Sequence, residues 1–288
     1  MLLATVSLWA FNFTVSKYIL DEGFHPLAYS SIRYGCAALI FVLITLAWEG
    51  SLAIGRGGLW LVVFCAIVLF LNQLSFVYAL KFTTATTVAL LFGTLPIFTA
   101  LFARGSGVEH LSVRFWLAAL VSFAGVALVA LGAGGNLSAD LKGDGLAVLG
   151  SITWAAYSVA ISPLMRRYSP FRLSAVLLLA ATVPLMAVGS HQIGEQSFDF
   201  GALVWIGFAF AVIGPLVLTN LLWFTAIGRV GPSRASLFAN LQPFLAAVVA
   251  LVLLDESITV VQIVGGVAIA GGIILATRRA APPEPPAD

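Results

Sequence analysis

Apolar stretches of about twenty residues recur along the chain, each bounded by a short cluster of charge, proline or glycine. A helix that crosses a bilayer needs roughly 20 mostly apolar residues. The pattern predicts ten such helices, over about residues 2–20, 27–48, 58–79, 84–103, 113–133, 145–165, 172–190, 202–227, 233–253 and 259–277. The connections between them are too short to hold a soluble domain. The expected fold class is an all-α membrane protein.

Two of these stretches resemble each other. Leu90–Gly125 and Leu237–Gly272 align without a gap, and Leu90, Pro96, Ala100, Glu109, Val113 and Gly125 fall on Leu237, Pro243, Ala247, Glu256, Val260 and Gly272. Two apolar segments share a few identities by chance, but rarely a proline, a boundary glutamate and a glycine in one register. The chain therefore reads as a tandem duplication. Residues 1–133 form one five-helix repeat, 134–144 a connecting loop and 145–279 the second repeat. Residues 280–288, rich in proline, form a disordered tail. Five is an odd number, so the second copy enters the membrane from the other side and the repeat is inverted.

Composition agrees with burial in lipid. Hydrophobic residues make up 61% of the 288 and charged residues 9%, with mean hydropathy +1.06. Soluble domains carry about 25% charged residues. A net charge of +2 with no basic cluster excludes nucleic acid as a partner. Cys36 and Cys65 lie inside apolar runs and read as inert thiols. The first apolar run lacks a basic leader and a cleavage site, so it reads as a span and not a signal peptide. Arg56, Arg104, Arg114, Arg166, Arg167, Arg172, Arg229, Arg234, Arg278 and Arg279 fall on the side of the two termini. The positive-inside rule places that side in the cytoplasm of a multi-pass inner-membrane protein.

Polar residues at membrane depth are the candidate chemistry. Pro96 and Pro243 stand near the middle of helices 4 and 9, where each removes a hydrogen bond and is expected to kink the helix. Thr94, Asn240 and Gln242 are beside them. Helix 1 carries Asn12 and Ser16, helix 3 carries Asn72, Gln73 and Tyr78, and helix 8 carries Asn220. In helix 6, Ser151, Trp154, Tyr157 and Ser158 share one face. A single such residue reads as helix–helix glue. Their recurrence favours a shared cavity, with Asn12, Gln73, Tyr78, Thr94, Trp154, Tyr157, Asn220 and Asn240 as substrate-binding residues and Pro96 and Pro243 as hinges. Trp60, Trp116 and Trp205 read as interfacial anchors. Glu109 and Glu256 read as caps on the N-termini of helices 5 and 10. Small residues in helices 5 and 10, such as Gly266 and Ala270, suit close packing within a monomer or a weak homodimer.

Charge narrows the chemistry further. No carboxylate lies near a midplane, which argues against cation–proton antiport through a shared acid and is compatible with facilitated diffusion. Lys17 and Lys81 read as snorkelling, and Arg33 as a bridge between helix ends. His25, His110 and His191 fall in separate loops, and neither an HExxH nor a GxSxG motif occurs. The chain does not read as an enzyme, and no metal or cofactor is implied.

An ordered set of residues carries a family resemblance: Pro26 followed by Arg33, Pro96 and Pro243, and Glu109 and Glu256. With ten predicted helices in two inverted halves, the chain resembles the EamA-type permeases of the drug/metabolite transporter superfamily. In general character it is similar to the YddG-type amino-acid exporters. The resemblance implies a secondary transporter that exports amino acids or similar small metabolites through a central cavity by alternating access. Export of drugs or of nucleotide-sugar or phosphorylated metabolites is the alternative.

Overall fold

A computed structural model describes residues 1–133, 140–254 and 258–277, with 249–254 as backbone only. The described residues are helical, with no strand among them. The helices are α1 (Leu2–Asp21), α2 (Pro26–Glu49), α3 (Arg56–Phe82), α4 (Ala85–Phe92), α5 (Leu95–Gly105), α6 (Val113–Gly132) and α7 (Leu141–Ile161). They continue with α8 (Pro170–Glu195), α9 (Ala202–Val212), α10 (Thr219–Val230), α11 (Pro232–Leu237), α12 (Gln242–Leu254) and α13 (Val260–Thr277). A π-helical segment, Ile213–Leu218, joins α9 to α10, and a 3₁₀ turn, Phe238–Leu241, joins α11 to α12.

Local chemistry sets many of the boundaries. Pro26 and Pro170 open α2 and α8, where a missing N–H costs nothing. The side chains of Thr84, Asp140 and Ser169 accept first-turn N–H groups of α4, α7 and α8. Asp140 starts α7 at Leu141, so helix replaces the last four residues of the expected 134–144 loop; the rest of that loop up to 139, Glu256 and the 280–288 tail lie outside the described residues.

Eight helical runs are long and apolar enough to cross a membrane among the described residues. The helix α1 and the broken α11–α12 run are not in that set. The outward faces are apolar: Leu39, Leu43 and Leu46 of α2, and Leu59, Val63 and Ile67 of α3, are exposed at helical spacing. A water-soluble bundle would carry polar residues there, so these stripes face acyl chains. The protein is an all-α membrane protein.

The helices that pack most closely run antiparallel. In the α6–α13 pair, Ala118 meets Gly272, Gly125 meets Gly265 and Gly132 meets Gln262. In the α2–α8 pair, Ser31 Oγ donates to the Leu185 carbonyl at 2.8 Å and the Leu27 N–H to Gln192 Oε1 at 2.8 Å. In the α3–α7 pair, Asn72 Nδ2 donates to the Gly150 carbonyl at 2.8 Å, and Thr83 meets Gly143. The small residues of α6 and α13 are thus used within the chain, and Gly266 seats the Phe244 ring.

Pro96 and Pro243 each stand in the first turn of α5 or α12, just after an interruption of the regular α-helical hydrogen bonding. Gly93 and Thr94 separate α4 from α5, and the 3₁₀ turn separates α11 from α12. A proline needs no hydrogen-bond acceptor at the second helical position, so breaking the helix before it leaves its ring unstrained.

Candidate functional site

The break before α5, the π segment and the polar faces of α1, α2, α3 and α7 converge on a chamber of about 80 Å³. The elements expose one side chain after another to it. Trp9, Asn12 and Phe13 come from one face of α1, and Arg33 and Tyr34 from α2. Asn72, Gln73 and Phe76 come from α3, and Trp154 from α7. Phe92 and Leu95 flank the α4–α5 break, Pro215 and Leu216 lie in the π segment, and Gln242 opens α12.

Its polar wall is a connected network. Arg33 Nη1 donates to Asn12 Oδ1 and to the Tyr29 hydroxyl, each at 3.3 Å, and Nη2 donates to Gln73 Oε1 at 3.0 Å. Gln73 Nε2 donates to Ser30 Oγ at 3.1 Å, and Ser16 Oγ to Asn12 Oδ1 at 3.2 Å. The guanidinium also lies 4.9 Å from the centroid of the Tyr29 ring. The expected bridge between helix ends is therefore corrected: Arg33 is buried to 2% exposure in the chamber wall, held by α1 and α3. Its sequence setting among apolar residues looked like an end-of-helix charge, because the neutral partners that solvate it come from two other helices.

Its aromatic wall is equally organised. Trp9 and Trp154 meet edge to face at 5.4 Å, and Trp223 closes on both from behind. Trp9 Nε1 donates to Thr219 Oγ1 at 3.1 Å, and Thr219 Oγ1 in turn donates to the Pro215 carbonyl. Pro215 lies in the π segment, so these two bonds tie Trp9 to the irregular stretch between α9 and α10.

A second, larger space of about 510 Å³ lies beyond Phe13 and Gln242, which stand in the walls of both. Thr86 of α4, Ala133 after α6, and Thr259 and Gln262 at the start of α13 line this vestibule. At the opposite end of the bundle the halves are tied. Glu109 Oε2 accepts the Ser233 N–H at 3.1 Å, and Arg172 pairs with Glu49 at 3.1 Å. Glu109 does cap a helix, but it caps α11; Ser112 precedes α6 instead.

Of the eight residues expected to bind substrate, the chamber brings together Asn12, Gln73 and Trp154. Tyr78 lies near the C-terminal end of α3, where its hydroxyl accepts from Gln192 at 3.4 Å. Thr94 Oγ1 is within 2.6 Å of the Leu91 carbonyl and 3.0 Å of Ser151 Oγ, spanning the α4–α5 break. Tyr157 packs behind Trp154. Asn240 Nδ2 donates to Ser122 Oγ at 2.9 Å, which ties the 3₁₀ turn to α6. Asn220 is buried in α10 outside the lining. Phe76, Phe92 and the π segment escaped the sequence reading, which places Arg33 at a helix end; only the Gly214–Pro215 pair marked the π segment.

A polar and aromatic chamber inside a lipid-facing bundle is the architecture of a membrane transporter. The chain belongs to the EamA-like transporter family, whose profile matches residues 1–131 and 141–278. It is 26% identical over 274 residues to the uncharacterized transporter YyaM of Bacillus subtilis, covering 92% of this chain and 88% of that protein. It is 26% identical over 293 residues to an uncharacterized transporter of Archaeoglobus fulgidus, covering 97% and 96%. The uncharacterized inner membrane transporter YedA of Escherichia coli is 29% identical over 177 residues, covering 60% and 56%. A crystal structure described as "Crystal structure of protein" shares the fold, with TM-score 0.76 over 95% of this chain and 96% of that one, at 20% identity.

Proposed function

We propose that the protein is a secondary transporter of the plasma (inner) membrane that exports amino acids or similar small metabolites by alternating access. The chamber carries this reading: its wall is polar on one side and aromatic on the other, and several helices contribute to it. A solute bound there exchanges between the two ends of the bundle when the halves rock about the breaks at Pro96 and Pro243.

The helix pairing supports two inverted five-helix repeats and a ten-span topology. In the register that places Gly125 on Gly272, Gly265 falls on Ala118. The close contact of Gly125 with Gly265 therefore has its counterpart in that of Gly272 with Ala118. The two breaks also correspond, since Leu95 falls on Gln242, the first residues of α5 and α12. Residues 1–131 and 141–278, matched by the family, divide the chain near the same place. Counting the arginines puts both termini in the cytoplasm. The Glu109–Ser233 tie then closes the cytoplasmic end, and the vestibule faces outward.

Uptake and counterflow in proteoliposomes with a panel of amino acids, with and without a pH gradient, test this reading. The expected result is saturable flux that rises with counter-substrate on the far side. Flux that never saturates, or single-channel currents, would overturn it.

A further inference from the structure

We propose that Arg33 is the charge that recognises the transported solute, and that this solute is a monocarboxylate with an apolar body. The proposal rests on the carrier reading above and narrows its substrate.

Arg33 is almost wholly buried and stands in the chamber wall. A guanidinium out of water is stable only when anions or well-placed hydrogen-bond acceptors replace its hydration. Here every bonded acceptor is neutral: an amide oxygen of Asn12, a hydroxyl of Tyr29 and an amide oxygen of Gln73. Two of the three bonds are at 3.3 Å, and the buried Nε has no partner. Among the described residues the ion pairs lie elsewhere, at Lys17–Asp21, Arg172–Glu49 and His191–Glu195. The charge of Arg33 is therefore solvated but not neutralised. A carboxylate entering the chamber can replace the long bonds with shorter charge-assisted ones. Asn12 and Gln73 would then turn their amides to the same ligand.

The rest of the lining sets the class. No second cation stands in the described wall, so one negative charge is matched and the dianion of a phosphate ester is not. Phe13, Phe76, Phe92, Leu95 and Leu216 supply an apolar surface for the body of the solute. No carboxylate waits for an ammonium group there; the Trp9 and Trp154 rings can only tolerate one through their faces. An amino acid and the simple acid of the same skeleton should both be accepted.

A matched series tests the proposal on the full-length chain in nanodiscs, by calorimetric binding and thermal shift. Its members are leucine, isocaproate, isocaproamide, isoamylamine and isoamyl phosphate. Leucine and isocaproate are expected to bind and to raise Tm, whereas the amide and the amine are not, and the phosphate is expected to bind more weakly than the acid. R33Q should lose about tenfold to a hundredfold in affinity for the acids, the loss expected for a hydrogen-bonded charge. R33K, which keeps the charge but not the planar donors, should fall between. Equal binding of acid and amide, tighter binding of the phosphate, wild-type affinity in R33Q, or no binding by any member would each overturn the proposal. The acid–amide comparison is read on the unaltered chain, so it decides the matter even if R33Q does not fold. Counterflow separates the two readings. Acid-selective binding without any counterflow would overturn the carrier and leave the Arg33 site. Isocaproate counterflow undiminished in R33Q would overturn the site and leave the carrier.

Discussion

A Cβ on Gly125 of α6 would lie 2.6 Å from the carbonyl oxygen of Gly265 in α13, and a Cβ on Gly265 would lie 2.6 Å from that of Gly125. The two backbones touch where neither has a side chain. In lipid this matters more than in water, because helices there associate through packing and not through the hydrophobic effect. Gly125→Ala and Gly265→Ala should each lower stability by about 1–3 kcal/mol, as overpacking does. Gly271, one residue from the seam, meets nothing within 4 Å. Gly271→Ala should leave the denaturation midpoint in mixed micelles unchanged, while the first two lower it.

The Asn240–Ser122 hydrogen bond should be structural. Both residues are fully buried, and the bond fixes the 3₁₀ turn before α12 against α6. Ser122→Ala leaves the Asn240 amide without an acceptor, at about 1–3 kcal/mol. A double-mutant cycle with Asn240→Ala should show coupling, and ligand affinity of the folded fraction should not change.

Glu109 should govern local opening at the closed end of the bundle. Its carboxylate accepts the Ser233 N–H and lies over Gly231, where a Cβ would clash at 1.8 Å and where φ is +83°. Glu109→Ala removes a cap, an effect of about 0.5–2 kcal/mol. Hydrogen exchange over Pro232–Leu237 should accelerate by the corresponding factor, with exchange in the α2–α8 pair unaffected. Gly231→Ala should have the same effect and lower overall stability as well.

Trp154 and Tyr157 are neighbours in α7 with different surroundings. Trp154 lines the chamber; the Tyr157 ring packs behind it at 5.3 Å and against Phe224 at 6.2 Å. Trp154→Ala should weaken solute binding by about tenfold or more, since a stacked aromatic surface is lost. Tyr157→Phe should leave the affinity unchanged. The reverse order in a binding titration would show that the solute sits deeper, against Tyr157.

Several of these features were legible in the one-dimensional pattern. The length and composition of the apolar runs require helices in a bilayer, because no other open structure satisfies its backbone there. Proline, glycine and glutamate in one register disclosed the likeness of Leu90–Gly125 to Leu237–Gly272, and the twin prolines marked where two helices are interrupted. Asn12, Gln73 and Trp154 stood out because polar and aromatic groups at membrane depth need partners, and they line one chamber.

What the tertiary structure decided is where each polar group finds its partner. Thr94 and Asn240 looked like ligands for a solute and are occupied by Ser151 and Ser122. Arg33 looked like a bridge at a helix end, and its partners turn out to be Asn12 and Gln73 on α1 and α3. Glu109 was read as the cap of the helix that follows it, yet it reaches α11, more than a hundred residues away in sequence. The physical reason is common to all three. Hydropathy and spacing are properties of one segment and act within it. A hydrogen bond between helices depends on their rotation and depth, which are set by the packing of all the helices at once.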